Sequence, residues 1–193
     1  LVVGGSIYAG TLDGFAFALD ANNGAFKWKY ETEAQIAGAA NWTASPDGND
    51  IWILLGSHDN FLHCVNAADG KAVWKYETGN YVNGAPAVSS GYAVFGGCDA
   101  IIHVVSVADG KAEKQIETGA YIAASAAHID GEVYVGNYDN EFMKADIAAA
   151  EIAWRYQCED AVFSSPAVGD ETIVFGARDS RLHCVGRGDG KMV

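Results

Sequence analysis

The sequence predicts an all-β fold, a β-propeller of four-stranded antiparallel blades, and three observations carry that prediction. A Gly-x-x-Asp element recurs as Gly10 to Asp13, Gly56 to Asp59, Gly96 to Asp99, Gly136 to Asp139 and Gly176 to Asp179, with its aspartates spaced by 46, 40, 40 and 40 residues. Each period holds four short apolar or aromatic runs divided by turn residues, which leaves no room for a helix of about ten residues. The composition, with 23 Gly, 5 Trp, 9 Tyr and 8 Phe against 3 Pro, suits packed sheet joined by tight turns.

Within each period the elements follow in a fixed order. An apolar strand comes after Gly-x-x-Asp, as in Phe15 to Leu19, Phe61 to Val65, Ile101 to Val105 and Leu182 to Val185. A turn follows with its glycine at Gly24, Gly70, Gly110 or Gly190, and Ala150 replaces it in the fourth repeat. The next strand carries an aromatic pair, Trp28 with Tyr30, Trp74 with Tyr76 and Trp154 with Tyr156, whereas the third repeat has Lys114 at the Trp position. A tryptophan there is large enough to fill the gap between blades. Small residues dominate the stretches before Pro86 and Pro166, which places them innermost, where strands crowd around the axis. The six extra residues of the first period fit a hairpin tip at Ser45 to Asp50. The recurring aspartate suits a turn that every blade contains, because its carboxylate can bond the amides of a tight connection.

This reading divides 1–193 into one propeller domain with repeats near 1–32, 33–78, 79–118, 119–158 and 159–193. The chain is expected to enter on the second strand of one blade and stop inside the outer strand of the fifth, leaving both flanking blades a strand short. Closed rings avoid exposed sheet edges. The expectation is therefore a piece of a seven- or eight-bladed propeller, with a five-bladed ring or a swapped dimer as alternatives. The opening at Leu1, with no initiator Met and no basic leader, reads as a fragment or processed product.

Charge and hydropathy exclude whole classes. A net charge of −13 repels a phosphate backbone, so nucleic acid is not an expected partner. No apolar run approaches the eighteen or so residues of a transmembrane span. Four cysteines, Cys64, Cys98, Cys158 and Cys184, without adjacent or CxxC spacing, do not read as a disulfide scaffold.

The repeat resembles the PQQ-type propeller repeat, roughly Gly-x-x-Asp-Gly-x-x-x-Ala-Leu-Asp-Ala-x-x-Gly-x-x-x-Trp. Residues 10–28, from Gly10 through Asp13, Gly14, Ala18, Leu19, Asp20, Ala21 and Gly24 to Trp28, follow it almost throughout. The resemblance covers essentially the whole chain. It implies either a non-catalytic scaffold of the outer-membrane assembly type, which carries no cofactor, or part of a quinoprotein dehydrogenase that oxidises an alcohol or sugar with pyrroloquinoline quinone and calcium. The enzymes of the family have two adjacent cysteines beside the quinone, and this sequence has none. The resemblance also implies a bacterial, periplasmic or otherwise extracytoplasmic location.

His63, His103 and His183 stand four residues after their aspartates on equivalent strands of different blades, so rotational spacing keeps them apart. They read as rings packed between blades, not as ligands of one metal ion. Cys64 and Cys184 read as buried thiols. Ser125 and His128 lack an assignable third member of a hydrolytic triad. Only the innermost strands and the loops leading into them converge, so a ligand pocket is expected to draw on Gln35, Tyr81, Asn83, Tyr121, Ser125, Asp160 and Ser164. The function expected is binding of another protein or peptide on a propeller face, with no catalytic residue and no cofactor; the quinoprotein is the alternative.

Overall fold

A computed structural model describes residues 1–193 and contains only β-strands and turns. Blade one holds β1 (Val2–Val3), β2 (Ser6–Gly10), β3 (Phe15–Asp20) and β4 (Phe26–Glu31). Blade two holds β5 (Asn41–Ala44), β6 (Ile51–Gly56), β7 (Phe61–Asn66) and β8 (Ala72–Glu77). Blade three holds β9 (Ala87–Ser89), β10 (Tyr92–Gly96), β11 (Ile101–Ser106) and β12 (Ala112–Glu117). Blade four holds β13 (Ala127–Ile129), β14 (Glu132–Gly136), β15 (Glu141–Asp146) and β16 (Glu151–Gln157). Blade five has β17 (Ala167–Val168), β18 (Thr172–Gly176) and β19 (Leu182–Gly186), and the bridge from Val185 to Met192 begins its outer edge.

Every sheet runs in simple sequence order with antiparallel neighbours. Blade one departs from expectation. Val2 and Val3 pair with Ile7 and Ser6, so the inner strand is present as a two-residue stub and the sheet has four strands. The Gly4–Gly5 turn makes this possible, since both residues adopt the positive φ that reverses the chain within two positions. The hairpin tip at Ser45 to Asp50 is closed by its own side chains, with the Ser45 hydroxyl 2.6 Å from the Asp47 carboxylate.

The core is divided into seams between neighbouring blades. Tyr8, Trp28 and Ile36 pack on Ile53, Leu55 and Val65 between blades one and two, and equivalent clusters fill the next three seams. Tryptophan spans the seam as expected. Trp28, Trp74 and Trp154 donate from Nε1 to the carbonyls of Ala67, Val107 and Arg187 of the following blade, at 2.9, 2.9 and 3.3 Å. Each indole lies on the turn glycine of that blade, Gly70, Gly110 or Gly190, where a Cβ would sit 2.6 to 2.7 Å from the ring. Near the axis the small residues have the predicted cause: a Cβ on Gly38 would lie 2.6 Å from the Asn83 carbonyl, and one on Gly84 2.5 Å from the Ala124 carbonyl.

The histidines belong to these seams. The hydroxyls of Tyr30, Tyr76 and Tyr156 lie 3.0, 3.0 and 3.1 Å from Nδ1 of His63, His103 and His183 in the next blade. Each Nε2 lies 3.0 Å from the aspartate four residues earlier, Asp59, Asp99 or Asp179. The seam between blades three and four departs in every part. Ile116 replaces the tyrosine, Met143 the histidine, Lys114 the tryptophan and Ala150 the glycine, and Ile116 and Met143 are buried in the same apolar cluster.

Asp59, Asp99 and Asp179 fill the turn role predicted for all five aspartates, each accepting from the amide two residues on, at 3.0 to 3.3 Å. Asp13 and Asp139 do not. Thr11 Oγ1 accepts from Phe15 N instead, and Asn137 Oδ1 from Glu141 N. A side chain two positions earlier reaches the same amide, which releases both carboxylates.

Candidate functional site

The Gly-x-x-Asp turns and the connections between blades meet on one face of the arc, and backbone bonds hold them together. His58, Cys98, Tyr138 and Arg178 donate their amides to the carbonyls of Gln35, Tyr81, Tyr121 and Ala161, all at 2.9 Å. Each seam therefore presents a pair of side chains at a fixed place. The pairs are Gln35 with His58, Tyr81 with Cys98, Tyr121 with Tyr138, and Ala161 with Arg178. Loops so anchored on a rigid sheet scaffold are suited to recognition.

The first half of the face is a polar chain. The Gln35 amide donates to His58 Nδ1 at 2.6 Å, which leaves the proton on Nε2, and that N–H donates to Asn83 Oδ1. Asn83 Nδ2 donates in turn to Cys98 Sγ at 2.8 Å. The Tyr81 ring stacks on His58 at 4.7 Å and 4°. Burial pushes the Cys98 thiol above its ordinary pKa, so it remains a neutral thiol and not a nucleophile.

The second half is aromatic. Tyr121 and Tyr138 meet edge to face at 6.4 Å, Tyr138 contacts Phe163 at 4.5 Å, and the Arg178 guanidinium lies 5.4 Å from the Phe163 ring. Gly119, Ala120, Tyr121, Tyr138 and Asp139 line an open cleft of about 290 Å³.

Of the sequence-predicted residues, Gln35, Tyr81, Asn83 and Tyr121 lie on this face in contact with its side-chain network or cleft. The other three are turned to backbone. Ser125 Oγ accepts from Ala85 N of the neighbouring blade at 2.9 Å, Asp160 accepts from Ala161 N at 2.7 Å, and Ser164 Oγ bonds both N and O of Gly176 at 2.8 and 2.9 Å. His128 is buried with Nδ1 unpartnered, and the hydrogen bond made by Ser125 Oγ is the one it accepts from Ala85 N, so no bond joins the two as nucleophile and base. His58, Tyr138 and Phe163 are the residues that sequence reasoning missed. The signal was there: the third position of a repeating turn reads Leu12, His58, Cys98, Tyr138 and Arg178, all different where the turn itself requires none of them.

The amides of Gln35 and Asn83 are committed to His58 and Cys98, the Asp160 carboxylate caps its own loop, and the four cysteines are free and dispersed over the seams. Cys158, Asp179 and His183 bring three potential metal-ligand atoms within 4.8 Å of one another. The same Tyr–His–Asp arrangement recurs at two other seams with Thr32 and Thr78 in place of the thiol, so the seam accounts for the histidine and aspartate.

The fold is similar to that of solved propellers. The crystal structure of BamB from Moraxella catarrhalis superposes with a TM-score of 0.80 at 15% identity, over 98% of this chain and 61% of that one. The computationally designed protein Ika8 superposes with a TM-score of 0.81 at 16% identity, over 95% of this chain and 56% of that one. This chain thus spans about three fifths of the length of these structures. None of the curated proteins matches it. The PQQ_2 family model, described as outer membrane protein assembly factor BamB, matches residues 1–193. With that match over its whole length, the chain belongs to the BamB-type family of PQQ-like repeat β-propellers.

Proposed function

We propose that the chain is a non-catalytic, extracytoplasmic scaffold that holds a partner polypeptide on the face carrying the Gly-x-x-Asp turns. One observation carries this reading: Tyr81, Tyr121 and Tyr138 stand 47%, 56% and 46% exposed there, on loops fixed by backbone bonds. Such rings supply large apolar area with a polar tip, and being already held they lose little conformational freedom on binding. The family's description as an outer membrane assembly factor supports both the scaffold role and the location. The overall charge of −13 argues for a partner protein over nucleic acid.

The test is site-specific photo-crosslinking in the periplasm of a Gram-negative host. A benzophenone side chain at Tyr121 is expected to give an adduct of discrete mass with a polypeptide. The same group at Asn23, in the exposed turn between β3 and β4 on the opposite face, is expected to give none. Equal labelling from both positions would overturn the reading, as would saturable uptake of pyrroloquinoline quinone with calcium, seen in the cofactor's absorbance.

A further inference from the structure

We propose that the Tyr121–Tyr138–Asp139 cleft is a recognition pocket for an arginine side chain of the partner polypeptide. The inference rests on the protein-binding reading of this face and deepens it by naming the chemistry of one contact.

Asp139 is a carboxylate without the partners of its equivalents. At the other seams the aspartate of Gly-x-x-Asp is closed over from two sides. A backbone amide of the preceding connection donates to it, from Glu33, Gly79 and Glu159 at 3.1, 2.9 and 3.3 Å. A histidine Nε2 binds it from below at 3.0 Å. Asp139 has neither partner. Met143 stands where the histidine would be, and Asn137 has taken over the turn amide. The equivalent connection residue, Gly119, adopts φ +90°, and a Cβ built on it meets nothing within 4 Å, whereas one on Gly79 would lie 3.1 Å from Asp99 Cβ. No amide of this connection bonds the Asp139 carboxylate, and Gly119 and Asp139 both line the cleft. Arg155, the neighbouring cation, is committed to Glu141 and to the Thr118 carbonyl.

The cleft therefore offers a carboxylate without a side-chain partner, lined together with two exposed phenol rings. A guanidinium suits this combination. Its plane can lie on a ring face while its fork of N–H donors meets a carboxylate, and it sheds water more readily than an ammonium group. A net charge of −13 draws cationic segments to the surface. A volume of about 290 Å³ accommodates one long side chain.

The experiment titrates the ¹⁵N-labelled 193-residue chain with three blocked pentapeptides, Gly-Gly-X-Gly-Gly, in which X is arginine, lysine or citrulline. Citrulline keeps the shape of arginine and removes its charge. The arginine peptide is expected to give saturable amide shifts confined to residues 119–121 and 138–139. The citrulline peptide is expected to bind about ten-fold more weakly and the lysine peptide about three-fold more weakly. Asp139→Asn is expected to cost the arginine peptide about ten-fold and the citrulline peptide little. Asp139 and Tyr121 are exposed, so this variant and Tyr121→Ala should retain the fold, checked by the unchanged spectrum of blade two. Absence of saturable shifts, equal binding of any two peptides, or full binding by Asp139→Asn would overturn the assignment. A discrete crosslink from position 121 without arginine preference would overturn this inference and leave the scaffold reading standing.

Discussion

Asp59, His63 and Tyr30 form one hydrogen-bonded line across the first seam, and its acid end has a measurable consequence. Burial alone would push the Asp59 carboxyl up, but the hydrogen bond and charge of His63 and the amides of Glu33 and Phe61 outweigh it and hold the pKa at about 2, down from 3.8. A carboxyl depressed in the folded state contributes stability that is fully present above the unfolded value and is lost as pH falls through the folded one. Urea unfolding midpoints should therefore drop between about pH 4 and pH 2, and Asp59→Asn should flatten that part of the profile while lowering stability at pH 7. A variant with the parental slope would refute the linkage. The sequence placed His63, His103 and His183 between blades but could not name their partners, because Tyr30 lies 33 residues from His63 and on a different sheet. The same distance limits the reading of the candidate face. Gln35 and Asn83 were legible as converging positions, whereas His58, which joins them, lies in a turn whose other members have no shared chemistry.

At the scale of elements, the aromatic outer strand of one blade is fitted to the turn of the next. Gly70 has φ +71°, and a Cβ there would stand 2.6 Å from Trp28 Cδ2. Two separate costs follow for Gly70→Ala, a left-handed backbone penalty of about 1–2 kcal/mol and overpacking of about 1–3 kcal/mol against the indole. Trp28→Ala should cost about 3–5 kcal/mol by itself. In the double variant the indole is gone and only the backbone penalty persists, so urea denaturation should give a coupling of about 1–3 kcal/mol. Additivity within about 0.5 kcal/mol would show that the two residues do not constrain each other. The third seam is the natural control, since Lys114 is exposed and Ala150 tolerates φ +56° in the position of the turn glycine. A β-bulge recurs at one place in the third and fourth strands of blades one to four, between Ala18 and Leu19, Cys64 and Val65, Val104 and Val105, and Lys144 and Ala145. Strand existence and order were legible from the period. The bulges were not, because an extra residue in a pairing register leaves no mark in a single strand's alternation.

Across the whole molecule, burial is uneven in a way that hydrogen exchange can read. Blades two, three and four are each packed on both sides, and their second strands are almost wholly buried, as in Val133 to Gly136 of β14. Within residues 1–193, blade five is packed on one side, and Leu182 of β19 is 77% exposed. In the 193-residue chain, amides of β10 and β14 should exchange more slowly than those of β18 and β19, with the difference abolished in denaturant. Uniform protection would mean that the five blades open as one unit. The amino-acid sequence by itself determined the architecture: a forty-residue period of alternating strands and positive-φ turns can bury its apolar faces only by setting each unit against the next. It also determined which positions are crowded, since glycine at the axis and beneath each tryptophan is a local steric requirement. Tertiary structure alone decided which side chains meet. The consequential pairs join residues far apart in the chain: Tyr30 with His63 crosses from one blade to the next, and Gln35 with His58 and Tyr121 with Tyr138 bring the connection between two blades onto the Gly-x-x-Asp turn of the second, at a distance set by how the two sheets twist against each other. That is why the turn role of Asp139 was expected from its recurrence, and why its release beside two tyrosines emerged only where the seam's partners had been replaced together.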